Sequence, residues 1–232
     1  MFNHYGVKGT FNLNSGILDE NRIPQSEYPI LYRGHEVASH TVTHPSIAHL
    51  NLEQAVQQIL EDRRTLERIM KKQVHGFAYP NGSVSRELVR MLPAVGIHYG
   101  RTVDATHRYD LPENFLTWDP TCNYREGVVE HGREFAAWNK TKDLFLLYVW
   151  GHSYELPLDD GWNQMETFLQ IVSGRSDIWY ATNGEIVEYL SAIRRLEFSA
   201  DCDTVYNPSF CTCWLSVDGT IRSVPGGSSV SL

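Results

Sequence analysis

His40 and His44 stand four residues apart in the stretch Gly34-His-Glu-Val-Ala-Ser-His-Thr-Val-Thr-His-Pro45, directly behind a short apolar run. Two neutral imidazoles at that spacing suit a borderline divalent cation such as zinc, and on one helical turn both rings point the same way. A catalytic ion needs a third protein ligand and an open position for water. The alternative use of such a pair is structural, as hydrogen-bonded loop histidines in a chain that carries ten histidines among 232 residues.

Positioning such a pair requires alternating strands and helices, and the chain supplies them. Val7 to Leu13 and His35 to Ser39 read as strands, and Leu52 to Lys71 has helical apolar spacing behind a plausible N-cap at Asn51. A strand at Val74 to Tyr79, a helix from Ser85 to Val95 closed by Gly96, and strands at Ile97 to Gly100 and Phe115 to Trp118 follow. The second half repeats the rhythm: a helix over Arg125 to Asn139, an apolar strand at Leu144 to Trp150, a helix over Trp162 to Val172, a strand at Ile178 to Ala181 and a helix to Arg195. Repeated strand-helix units predict a parallel α/β sheet or barrel whose ligand site lies at the C-terminal ends of the strands. The polar loops at His40, Tyr79 to Gly82, Trp118 and His152 all fall there. Beyond Leu196, Thr212 to Val217 and Thr220 to Val224 flank Asp218-Gly219 and read as a hairpin. The expected division is therefore a barrel over 1–196 and a hairpin extension over 197–232, packed on the same domain.

Composition narrows the function classes. The chain is 42% hydrophobic and 21% charged with a formal charge of −8, ordinary for a globular domain with a sizeable core. Arg63, Arg64, Arg68, Lys71 and Lys72 interleave with Glu61, Asp62 and Glu67, which reads as a solvated helix face and not a nucleic-acid surface. The run Leu144 to Trp150 is too short to cross a bilayer, and the N-terminus carries no basic-then-apolar leader, so neither membrane nor nucleic acid is expected as a partner. Cys122, Cys202, Cys211 and Cys213 lack zinc-ribbon spacing and read as free thiols, with a disulfide involving Cys202 as the second reading.

Four segments occur in a telling order: Lys8-Gly-Thr-Phe-Asn-Leu-Asn-Ser15, the Gly34-to-His44 phrase, Phe77-Ala-Tyr-Pro-Asn-Gly82 and Leu147-Tyr-Val-Trp-Gly-His152. In these the chain resembles the polysaccharide deacetylases of carbohydrate esterase family 4, over roughly its first four-fifths. The resemblance implies an α/β fold, a distorted (β/α) barrel with fewer units than the eight-fold version, and metal-dependent removal of acetyl groups from sugars. It implies that His40 and His44 are metal ligands, normally completed by an aspartate, and that an adjacent aspartate activates the metal-bound water. It makes His152 the acid that protonates the leaving amine. Backbone N–H groups of the Pro80-Asn81-Gly82 turn, with Tyr79 beside them, are candidates for holding the oxyanion, though Pro-Asn-Gly is also simple turn chemistry. Trp118 reads equally as a sugar-binding wall or a core tryptophan.

The departures qualify what is carried over. The family's first motif, a strand ending in two aspartates, precedes Lys8 by a whole helix. Phe2-Asn-His-Tyr-Gly6 resembles the last turn of a helix with a glycine stop, so an N-terminal strand is expected to be missing and hydrolysis to be impaired as the chain stands. Ala78 and Asn81 occupy positions where the third motif usually has an arginine and an aromatic residue, and the fourth motif is faint at Trp118-Asp119. The expected cofactor is a divalent ion, zinc first with cobalt or nickel as alternatives, weakly held by two histidines. The expected substrate is a carbohydrate bearing N-acetyl or O-acetyl groups. Two other readings stand beside this one: a C–N hydrolase acting on a small amide or ureide, and a non-catalytic glycan-binding barrel.

Overall fold

Thr10–Leu13 (β1), Glu36–Ser39 (β2), Gly76–Ala78 (β3) and Tyr99–Arg101 (β4) form a four-stranded parallel sheet in the order β1-β2-β3-β4. The computed structural model describes residues 1–19, 22–138 and 143–232. The strands are short: β1 is half-buried along its length, whereas β2 is buried after its first residue and β3 and β4 are buried throughout. The sheet continues at Trp118, which forms a single parallel bridge with Arg101, and a separate parallel pair joins Cys122–Asn123 (β5) to Val149–Trp150 (β6). The helices of this region are Phe2–Tyr5 (α1), Tyr28–Leu31 (α2), Leu52–Met70 (α3), Arg86–Met91 (α4), Val128–Ala137 (α5) and Gly161–Val172 (α6).

Local sequence explains the longest of these. Asn51 accepts the Gln54 N–H at 2.9 Å as an N-cap, and Ala55, Ile59, Asp62 and Leu66 fall on one buried face of α3. That face packs with Phe77, Leu92 and Ile97 on one side and with Val37 and Val74 on the other. A second core beneath α5 and α6 gathers Tyr124, Val128, Phe168 and Leu169. Gly132 lets α5 approach α6 closely, since a Cβ there would lie 2.8 Å from the Phe168 ring.

Several elements differ from the sequence reading. Phe115–Thr117 is a 3-10 turn capped by Asn114, so only Trp118 of the expected strand pairs. Of Leu144 to Trp150 only the last two residues are in a strand, and Ile178 to Ala181 belongs to no strand of the structure. None of these residues is fully buried, and Leu144 and Trp179 are exposed, so the apolar runs do not form the buried ladder expected of them. The helix expected over Arg125 to Asn139 is shorter at both ends, and Asn139 lies outside the described residues. The mixed-charge face of α3 is not fully solvated: Asp62 is wholly buried, and Arg63 bridges to Glu67 at 2.8 Å and donates to the Val95 carbonyl.

The chain divides into two compact units, Met1–Asn183 and Gly184–Leu232. In the second, Asn183–Arg194 (α7) leads into Glu197–Phe198 (β7), Thr204–Tyr206 (β8) and Ser229–Ser231 (β11), which form an antiparallel sheet in the order β11-β8-β7. Cys213–Val217 (β9) and Thr220–Val224 (β10) form the expected hairpin around Asp218 and Gly219, whose φ values of 50° and 79° suit its two-residue turn. All four cysteines are free thiols. Among the described residues no helix is long and apolar enough to cross a membrane.

Candidate active site

His40 closes β2 and is 8% exposed. Its N–H is shared by the Leu13 carbonyl at 2.9 Å and the Asp62 carboxyl at 3.1 Å, while Asn14 donates to its carbonyl oxygen. Ring Nδ1 lies 2.8 Å from the Ala78 carbonyl oxygen. A carbonyl only accepts, so Nδ1 carries the proton and Nε2 keeps its lone pair. Burial, with smaller contributions from Arg101, His44 and His152, lowers the His40 pKa to about 3, so this ring is neutral at physiological pH.

His44 does not follow on a helical turn as expected. Thr41 and His44 both have left-handed backbone, with φ of 66° and 57°, and the Thr41 hydroxyl accepts the His44 N–H at 3.0 Å. This tight loop still brings the rings together, with centroids 4.7 Å apart and planes at 75°. Burial lowers the His44 pKa as well, with further contributions from His152 and Arg22.

His152 follows β6 and faces the pair closely enough to bias both of their titrations. Its side chain is 37% exposed, and Nδ1 lies 3.2 Å from Glu155, off the direction of a good hydrogen bond. Trp150 and Tyr154 pack against its ring at centroid distances of 5.5 and 5.1 Å, and Glu155 also pairs with Arg125 at 3.1 Å. The three imidazoles thus come together from two strand ends more than 100 residues apart in sequence.

The remaining predicted residues divide. Tyr79 is 1% exposed and donates its hydroxyl to the Leu116 carbonyl at 2.8 Å, so its side chain belongs to the core and not to a substrate surface. Burial raises its pKa. Asn81 is exposed with φ 56°; the neighbouring N–H groups of Gly82 and Ser83 are bonded within the turn, whereas nothing among the described residues accepts that of Asn81. Trp118 is 2% exposed and packs against Tyr99 and Tyr148, which makes it a core tryptophan and removes it as a sugar wall.

Two residues missed in the sequence reading sit behind the histidines. Asp62 accepts from Ser15 N–H at 2.7 Å and Ser39 hydroxyl at 2.5 Å as well as from His40, tying the ends of β1 and β2 to α3. Burial raises its pKa to about 6 against the pull of those hydrogen bonds. Arg101, at the end of β4, is 5% exposed and lies over the Trp150 ring at 4.4 Å. Mixed charge along α3 disguises the first, and the second is a single arginine at a strand end, which no spacing rule marks.

As a metal centre the arrangement is half complete. His40 offers a free Nε2 beside His44, but among the described residues no group of three or more His, Cys, Asp or Glu side chains could hold a metal ion. Two imidazoles fall short of the three protein ligands of a catalytic zinc site. The described donors therefore do not by themselves fit a tightly bound ion.

Residues 1–100 match the profile of the family described as polysaccharide deacetylase. No curated protein matches the chain in sequence. Among solved structures, an allantoinase aligns over 80% of this chain and 68% of its own at 13% identity, with a TM-score of 0.63. A structure assigned as a polysaccharide deacetylase from Mycobacterium smegmatis aligns over 83% and 75% at 19% identity, with a TM-score of 0.59. A carbohydrate esterase family 4 pseudoenzyme from Bacillus anthracis aligns over 80% and 57% at 17% identity, with a TM-score of 0.52. The chain spans 54% and 35% of the length of two other solved relatives. At such identities the likeness concerns the fold, which is the α/β, deacetylase-type (β/α) barrel expected from the motifs. Over residues 1–100 the chain's own sequence is thus similar to the polysaccharide deacetylase family.

Proposed function

We propose that this site serves hydrolytic removal of an N-acetyl or O-acetyl group from a carbohydrate, in the amide case as a hydrolase of non-peptide carbon–nitrogen bonds. The observation that supports it is the convergence of a neutral, fixed imidazole pair, His40 and His44, with the half-exposed His152 at the ends of parallel strands. His152 is the group that protonates the leaving amine or hydroxyl, with the Glu155 carboxylate 3.2 Å from its Nδ1. The Asn81 N–H, free and exposed, is the donor for the oxyanion that forms on the acetyl carbonyl. Tyr79 and Trp118 support the turn and the barrel wall from within. His40 and His44 contribute two donors to a divalent ion, zinc first and cobalt or nickel next, and two such donors hold it weakly; no step is assigned to that ion.

The test is acetate release from N-acetylated and O-acetylated oligosaccharides with zinc or cobalt present. His152→Ala is expected to lower the rate by about 10²-fold or more, the usual contribution of a general acid. Absence of acetate release under every metal condition counts against hydrolysis and leaves glycan binding without chemistry, which a binding assay with His152→Ala would then detect unchanged. A second reading, hydrolysis of a small amide or ureide, is favoured by Ala78 standing where the resembled family's third motif has its arginine. Turnover of a cyclic ureide without added metal would select it.

A further inference from the structure

Arg101 ends β4 as a buried charge in the N-terminal unit. It pairs in register with Ala78 of β3, one residue beyond β2 from His40, so that His40, Ala78 and Arg101 form one row across the strand ends. The residue is 5% exposed. One of its five N–H bonds is accounted for by Nη1 donating to the Thr102 carbonyl at 3.1 Å, and one face is covered by Trp150 at 4.4 Å. Among the described residues it has no carboxylate partner; its closest ionisable neighbours are the phenols of Tyr148 and Tyr99. A buried cation without an anion is costly, and natural proteins pair such groups.

A second observation points the same way. The indole N–H of Trp150 is also buried, with no acceptor among the described residues. The Trp150 N–H, buried without an acceptor among the described residues, therefore lies on the ring stacked against a guanidinium whose one hydrogen bond goes to the Thr102 carbonyl. The Trp150 ring blocks one face of the guanidinium and Thr102 holds one corner, which leaves its edge for a flat acceptor with two oxygens. That geometry matches a carboxylate better than a tetrahedral anion. Ala78 provides only a methyl group between Arg101 and His40.

We propose that Arg101 and the Trp150 N–H form a receptor for the carboxylate of a small ligand. The ligand is either an acid of acetate size or a sugar bearing a carboxylate, and its recognition does not depend on whether the site hydrolyses anything. Calorimetric titration of the full chain with sodium acetate and with sodium glucuronate, against acetamide and inorganic phosphate, tests this at neutral pH and low salt. At least one carboxylate is expected to bind, acetamide not at all and phosphate at least tenfold more weakly. Tighter binding of acetate identifies the small acid, and tighter binding of glucuronate the sugar acid. Arg101→Met should weaken that binding at least tenfold, and Arg101→Lys, which keeps the charge but loses the fork, should fall between. The unliganded Arg101→Met protein should melt no lower than wild type, because it loses a buried charge that no described residue neutralises. The proposal is overturned if neither carboxylate binds, if acetamide or phosphate binds as well, if Arg101→Met binds equally, or if its melting point falls sharply.

Discussion

The two strand ends that carry the site's histidines are built differently. At the end of β2, His40 is 8% exposed and is fixed through its N–H, its carbonyl and its ring by Leu13, Asp62, Asn14 and Ala78. At the end of the two-residue β6, His152 is 37% exposed and touches one carboxylate and two aromatic rings. The first environment removes freedom from a ring that must stay neutral and in one tautomer. The second leaves a ring that meets solvent, as the proposed acid requires. The contrast matches a division of labour between holding and transferring, and it follows from how many backbone groups each strand end has to satisfy.

The strongest way to break the contrast is to remove the brace behind His40. Asp62→Ala leaves the Ser15 N–H and the Ser39 hydroxyl without their buried acceptor, and at pH 4 it is expected to destabilise the fold by about 3–4 kcal/mol. Denaturant unfolding measures this, and a loss below about 1 kcal/mol would mean that Asp62 does not hold the two strands.

The same variant sharpens the comparison with pH. Burial raises the folded-state pKa of Asp62 from 3.8 to about 6, so between those values the folded protein binds the proton that the unfolded chain has released. Stability from this group is complete below pH 3.8 and is lost as pH rises through 6, a change of about 3 kcal/mol. His40 has the opposite sign: its pKa falls from 6.5 to about 3, so its contribution is complete above 6.5 and is lost as pH falls. The two slopes oppose each other in the wild type. In the difference between wild type and Asp62→Ala the His40 part cancels, and the gap should narrow to about 1 kcal/mol by pH 7.

These residues also mark what the sequence discloses. The α3 periodicity, the Asn51 cap, the Gly6 and Gly96 stops and the Asp218-Gly219 hairpin were readable because each depends on neighbours within a few positions. His40, His44 and His152 were readable through their phrases and their order. Asp62 was not, because its buried position on α3 is set by tertiary packing while its neighbours in sequence are charged. Trp118 looked equally fit for a wall or a core until Tyr99 and Tyr148 were seen to close over it. Arg101 is illegible for a related reason: its burial at the end of β4 without a carboxylate partner among the described residues is a tertiary fact, which no local pattern encodes.

On the looser side the expected effect is smaller. Glu155→Gln removes the carboxylate 3.2 Å from His152 and the partner of Arg125, both partly solvated, so stability should fall by less than about 1 kcal/mol and the loss should shrink with salt. Acetate release should drop more than stability does, since the carboxylate orients the proposed acid. Equal activity in the variant would show that the aromatic contacts alone position His152.

The smallest effect separates the geometry of the histidine pair from the stability of the fold. Thr41 is β-branched yet held at φ 66°, a conformation that costs such a residue about 1–2 kcal/mol, while its hydroxyl accepts the His44 N–H. Thr41→Gly relieves the strain and loses the hydrogen bond, two changes of about 1 kcal/mol with opposite sign, so the melting point should barely move. His44 would nevertheless lose its fixed distance from His40, and weak zinc binding measured by titration should weaken further. Thr41→Asn restores an acceptor on a residue that tolerates left-handed backbone and should recover the affinity with a slight gain in stability. If both variants bind zinc as the wild type does, the pairing of the rings owes nothing to the Thr41 turn, and the rigidity of this strand end stops at His40.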